Sequence, residues 1–127
     1  DINESSIGVT IENFIKKYYE WEKLDPKTIT QEITPLVTSG FKEKAFSYLK
    51  DKSEKDFKGK EIKQSVASLT VNITKESTIA VFDVILRVSD VPLIIPTQAS
   101  FQLVKGEQTE WNPIGLYING VTVHEGK

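Results

Sequence analysis

Cysteine and methionine are absent from this 127-residue chain, and histidine and arginine occur once each, as His124 and Arg87. Without thiols there are no disulfides, no cysteine nucleophile and no Cys-type zinc site. One His, near the C-terminal end, leaves too few parts for Ser-His-Asp catalysis, and no Gly-x-Ser-x-Gly is present. Phosphate-binding and dinucleotide-binding glycine patterns, His-based metal spacings and acidic calcium loops are missing as well. The residues therefore point to no metal and no cofactor. Long apolar runs are also lacking. The longest block, Val91-Pro92-Leu93-Ile94-Ile95-Pro96, is far short of the ~18 residues of a spanning helix. A basic surface of the kind that holds nucleic acid is not evident either. Net charge is −2, and the densest basic stretch, Lys42–Lys63, interleaves eight lysines with five acids. That pattern reads as a solvated helix face.

What is present suits one folded domain, residues 1–127, long enough to bury a core. The chain opens on Asp1 with no signal-peptide pattern. It is read as a processed chain or excised fragment, with any membrane anchor upstream.

The first half has helical periodicity. Ile7, Ile11, Phe14, Ile15, Tyr18 and Trp21 share one helical face. Asp25-Pro26 predicts the end of that helix. Thr28 and Gln31 have capping-box spacing for a short second helix, facing inward through Ile29, Ile33, Leu36 and Val37 and shortened or kinked by Pro35. Thr38-Ser39-Gly40 is a predicted break. A third helix follows from about Phe41 to Lys52, then an exposed charged connection over 51–60.

From Glu61 the period becomes two. Ala67, Leu69, Val71 and Ile73 form one inward set; Ala80, Phe82, Val84, Leu86 and Val88 a second; Ala99, Phe101 and Leu103 a third; Ile114, Leu116 and Ile118 a fourth. Turn-length connections make neighbouring strands antiparallel. Asn119-Gly120 is a hairpin signal that would send Val121–Val123 back along the last strand. The predicted class is α+β: three N-terminal helices packed on one side of a curved antiparallel sheet of about four strands. This order resembles the nuclear transport factor two-like (cystatin-like) roll, a fold that hosts both enzymes and non-enzymes.

Trp111-Asn112-Pro113-Ile114-Gly115-Leu116-Tyr117-Ile118 is the most distinctive stretch. Asn starts turns through its side chain, Pro fixes φ without an N–H, and Gly admits conformations or approaches closed to other residues. Asn112-Pro113-x-Gly115, at the entry to the last long strand, resembles the Asn-Pro-x-Gly motif of VirB-eight-like subunits of bacterial type IV secretion and conjugation machines. The resemblance implies a non-catalytic scaffold on the extracytoplasmic face of the cell membrane, carried by a single-pass anchor. Its partners would be other channel subunits and, weakly, copies of itself, with no direct nucleic-acid contact. Fifteen lysines to one arginine and fourteen isoleucines fit an AT-rich genome and so a low-GC Gram-positive bacterium, and the resemblance extends to the counterparts in Gram-positive conjugative plasmids. By that resemblance Asn112, Pro113 and Gly115 shape an assembly loop. Trp111 and Tyr117 are candidate contacts, and the exposed end of helix 1 near Tyr19 and Lys23 is a further one.

The alternative is a roll-type small-ligand binder or an isomerase- or dehydratase-like enzyme. Such a site needs a base deep in the pocket with donors for an oxyanion. Asp83 and Arg87 form the only candidate dyad, and they share a strand face with the opposite parity to Phe82 and Val84. Tyr18, Tyr19, Trp21 and Tyr48 could line a cavity, although helical aromatics usually serve as core with a wet tip. These alternatives separate on whether Asp83 points into a pocket.

Overall fold

Local hydrogen bonds decide where each helix begins and ends. The computed structural model describes residues 2–126. Helix α1 (Glu4–Tyr19) starts on a reciprocal cap: Asn3 Oδ1 accepts from the Ser6 N–H at 2.9 Å, and Ser6 Oγ accepts from the Asn3 N–H at 2.8 Å. It stops because the first strand captures its end. Gln64 Nε2 donates to the Tyr19 carbonyl at 2.8 Å, and Trp21 and Gln64 exchange both backbone bonds at 3.0 Å. Trp21 is therefore not on the helix face as its spacing predicted; it sits in a β-bridge with its ring against Phe57.

Helix α2 (Pro26–Ile33) is capped by Asp25, not by Thr28. Pro26 occupies the first helical position, where its missing N–H costs nothing. Asp25 Oδ1 takes the Lys27 and Thr28 N–H groups, and the Thr28 hydroxyl donates to Oδ2 at 2.9 Å. The Thr28 hydrogen bonds hold the Asp25 carboxyl below the usual range. Pro35 lies in a short 3-10 turn, Thr34–Leu36, as its incompatibility with a longer helix requires. Helix α3 (Ser39–Glu54) starts earlier than predicted, because Thr38 Oγ1 caps the Phe41 N–H and Gly40 is taken into the first turn.

Four strands follow: β1 (Ile62–Ile73), β2 (Thr78–Val88), β3 (Val91–Lys105) and β4 (Leu116–Glu125). They pair antiparallel in sequence order. Ser89 and Asp90 close the β2–β3 hairpin, both with positive φ (50° and 69°). That is the two-residue turn whose hand matches strand twist, here built without Gly or Asn. The apolar block 91–96 is consequently the first part of β3. Its prolines are tolerated because β4 pairs with β3 only from Thr97 onward, leaving an edge that needs no donor there.

Two irregularities bend the sheet. Between Ala67 and Thr70 the register slips, with Ser68 at φ 57°, so Val66 and Leu69 both pack on the core where strict alternation predicted Ala67. The second lies in β4. Asn119-Gly120 is not a hairpin: Gln102 pairs with Gly120 and Leu103 with Ile118, which makes Asn119 the extra residue of a bulge. Its Oδ1 accepts the Thr38 hydroxyl at 2.8 Å, and β4 runs straight on to Glu125.

Ile11, Phe14 and Ile15 of α1, Ile33, Leu36, Val37 and Ala45 meet Ala80, Phe82, Val84, Ala99, Phe101 and Ile118 in one core. The Val37–Thr38 junction is tied to β4, with the Thr38 N–H donating to Ile118 O at 3.0 Å. The fold is thus the predicted class: three helices on one face of an open antiparallel sheet. Phe82, 1% exposed, sits at its centre. Phe82→Ala should lower unfolding free energy by about 3–5 kcal/mol in chemical denaturation. Thr30 Oγ1 is buried with no hydrogen-bond partner. Thr30→Val should leave the melting temperature unchanged or raise it, because the isostere removes an unmet polar group.

Candidate functional site

The loop 106–115 joins β3 to β4, and Asn112 is its anchor. Asn112 is 3% exposed. Its Oδ1 accepts the Gly115 N–H at 3.0 Å, the short-range turn bond that Asn was expected to make. Its Nδ2 donates to Leu116 O at 3.0 Å and to Pro35 O at 2.9 Å. The Pro35 bond ties the loop to the turn ahead of α3, 77 residues away in sequence. Both Nδ2 protons and Oδ1 are engaged, so this buried amide pins the loop at Asn112.

The rest of the loop closes around that anchor. Thr109 and Asn112 exchange backbone bonds, and Thr109 Oγ1 accepts the Asn112 N–H at 2.9 Å. Gln108 Nε2 donates to Pro113 O at 3.0 Å. The Gly106 N–H donates to Gly115 O at 2.8 Å, closing the neck. Gly115 has φ +74°, and a Cβ there would lie 2.9 Å from Gln108 Cγ and 3.0 Å from Gly106 O, so both conformation and space demand glycine.

Tyr117 was a candidate contact. Its ring covers Gly106 and its hydroxyl donates to Glu107 O at 2.6 Å, which makes it a brace of the loop. Gly106 itself escaped sequence reasoning. A Cβ at that position would fall 2.6 Å from the Tyr117 ring, a requirement set by a strand neighbour that no local pattern announces. Trp111 is the opposite case. At 74% exposed it is the most exposed of the large apolar side chains among the described residues. Glu110 directly precedes it and Glu107 lies four residues before it, both exposed.

The other candidates lie apart. Tyr19 is not an exposed contact: its ring packs edge-on against Phe82 and Tyr18, because α1 lies across the sheet at this point. Lys23 is exposed, but it follows α1 instead of belonging to it. Asp83 pairs with Ala67 and Pro96 on the sheet face away from the helices, and Arg87 shares that face. His124 is exposed on β4. None of the three points toward the helices.

Between α1, α3 and the far half of β4 is a cavity of about 650 Å³. Phe14, Tyr18, Tyr19, Phe41 and Tyr48 supply aromatic walls, with Lys44 and Glu125 among the lining groups. Burial, then the neighbouring phenols, push the Tyr18 hydroxyl above the ordinary tyrosine range, and burial does the same to Tyr19. Both phenols are therefore neutral. Among the described residues no cluster of His, Asp or Glu could hold a metal ion, and no helix is long and apolar enough to cross a membrane.

Several solved structures with this fold carry type IV secretion names, and a de novo designed β-sheet protein has it too, with TM-score 0.57 at 8% identity over 96% of this chain and 87% of its own. TraE, in complex with 2-(2-furyl)isonicotinic acid, superposes with TM-score 0.71 at 15% identity, covering 99% of both chains. The soluble domain of TrwG from the type IV secretion machinery of Bartonella grahamii gives 0.68 at 13% identity, over 100% of this chain and 98% of its own. CagV from Helicobacter pylori strain 26695, a VirB8 homologue of a type IV secretion system, gives 0.65 at 10% identity, over 98% and 100%. This chain therefore has, along nearly its whole length, the α+β roll of VirB8-type soluble domains. No protein-family model and no curated protein sequence matches it.

The loop geometry makes two measurable statements. Asn112→Ala takes a donor from Pro35 O and from Leu116 O and leaves the Gly115 N–H only its 3.2 Å bond to the Asn112 carbonyl, and should cost about 3 kcal/mol in denaturant unfolding. Gly106→Ala should destabilise by about 1–3 kcal/mol, and a double-mutant cycle with Tyr117→Ala should recover most of that cost, since the clash is with that ring.

Proposed function

We propose that this chain is the extracytoplasmic domain of a VirB8-like scaffold subunit of a type IV secretion machine, acting by protein–protein contact and not by catalysis. The observation that carries the reading is the loop 106–115: a buried Asn112 locks a rigid turn whose one large exposed apolar group is Trp111. Trp is a residue type that concentrates binding energy, and a prefixed loop loses little entropy on docking. Structural likeness to TrwG and CagV over nearly the whole chain supports the machine to which it belongs.

Anchoring would come from a single upstream helix, the setting from a Gram-positive conjugative plasmid, and the partners would be other channel subunits and copies of this domain. Tethering would supply the effective concentration that weak contacts need. A small-ligand role is favoured only by the cavity. Asp83 and Arg87 lie on the other face of the sheet, so they cannot serve as the acid–base pair of an isomerase there.

Plasmid transfer in a strain lacking this gene tests the proposal. Complementation with the wild-type gene should restore transfer. Trp111→Ala, whose melt should match wild type, should leave transfer lower by roughly tenfold or more. Unchanged transfer in the deletion strain would refute the conjugation setting.

A further inference from the structure

Two features of the molecule lack partners and have complementary chemistry. Trp111 stands out from a rigid loop ahead of β4, directly after Glu110. The loop 106–115 carries two acids, Glu107 and Glu110, and no Lys or Arg. The aromatic-walled cavity opens beside the far half of β4 and carries Lys44, which makes no ion pair among the described residues. Its volume, about 650 Å³, is ample for an indole. The loop cannot fold back into its own cavity: the Asn112–Pro35 and Gly106–Gly115 bonds hold it, and Trp111 is not among the lining residues.

We propose that the Trp111 loop of one copy seats in the Phe14–Phe41–Tyr48 cavity of the next, with Glu110 drawn to Lys44. The occupant is a second copy of this chain. The indole would stack among the aromatic walls, and its N–H, a donor only, has the Glu125 carboxylate at the cavity as an acceptor. Loop and cavity are different surfaces, so the contact is head-to-tail and repeats into a ring or an open chain instead of closing as a two-fold dimer. This inference rests on the assembly reading and narrows it to one partner and one geometry.

The Cys-free chain allows a clean test, since each introduced Cys is unique. Glu107→Cys and Thr122→Cys proteins, which keep Trp111 and the aromatic walls, mixed at roughly millimolar concentration to replace tethering, should give a mixed disulfide joining position 107 to position 122. A mixture of Glu107→Cys with Lys23→Cys should not. Lys44→Glu in the Thr122→Cys partner should cut the yield about fivefold, and Glu110→Lys in the other partner should restore it. A second readout needs no cysteine. In Trp21→Phe, Trp111 is the only tryptophan, and its emission should shift to the blue as concentration rises, but not with Lys44→Glu present. Adducts of position 107 with itself alone, equal coupling to position 23, or no emission shift would overturn the proposal. If Trp111→Ala abolishes transfer while these tests are negative, the loop docks on another subunit, and the assembly reading survives without self-docking.

Discussion

The Asn112 carboxamide is the constraint on which the candidate site depends. One buried side chain accepts from the turn it starts, donates to the strand that follows, and donates to a carbonyl of the segment ahead of α3. A buried amide with unmet groups is costly, so the three bonds stand or fall together. Gly115 follows from that arrangement, because the turn Asn112 closes requires a positive φ and leaves no space for a Cβ. Gly106 follows from the Tyr117 brace. Trp111 needs none of these bonds for itself and is held outward by all of them.

The sheet places this loop. Two bulges bend it around the helices, one through Ser68 in β1 and one through Asn119 in β4. The second bulge also points Asn119 at Thr38, whose own hydroxyl caps α3. Pro35, Thr38, Ile118 and Asn112 therefore form a continuous seam between the helical layer and the last strand. Loop position and α3 position are set by the same contacts. The helices leave one end of the seam incompletely filled, which is the aromatic cavity.

Much of the fold was legible in the sequence because burial imposes period. The faces of α1 and β2 and the Asn-Pro-x-Gly turn all follow from residue spacing and local chemistry. What was not legible depends on distant neighbours. Trp21 fits a helical face until Gln64 claims the end of α1. Asn119-Gly120 has the composition of a hairpin, yet β3 extends far enough to keep pairing, so the chain bulges instead of turning back. Ser89-Asp90 makes the tight turn that composition would assign to Asn-Gly. At the site, the loop-shaping residues could be read from the motif, whereas the Pro35 bond, the Gly106 requirement and the inward packing of Tyr19 could not, since each is set by a partner far along the chain.

The account's central claim is that Trp111 is a contact surface of an assembled machine. A photo-crosslinking amino acid placed at position 111 of the full-length protein, in cells carrying the intact transfer apparatus, tests it directly against the same group at position 23. The account predicts protein adducts at 111, to a second copy of this chain or to another subunit of the apparatus, with few at 23. Adducts at 23 and none at 111, in a protein that still supports transfer, would contradict it.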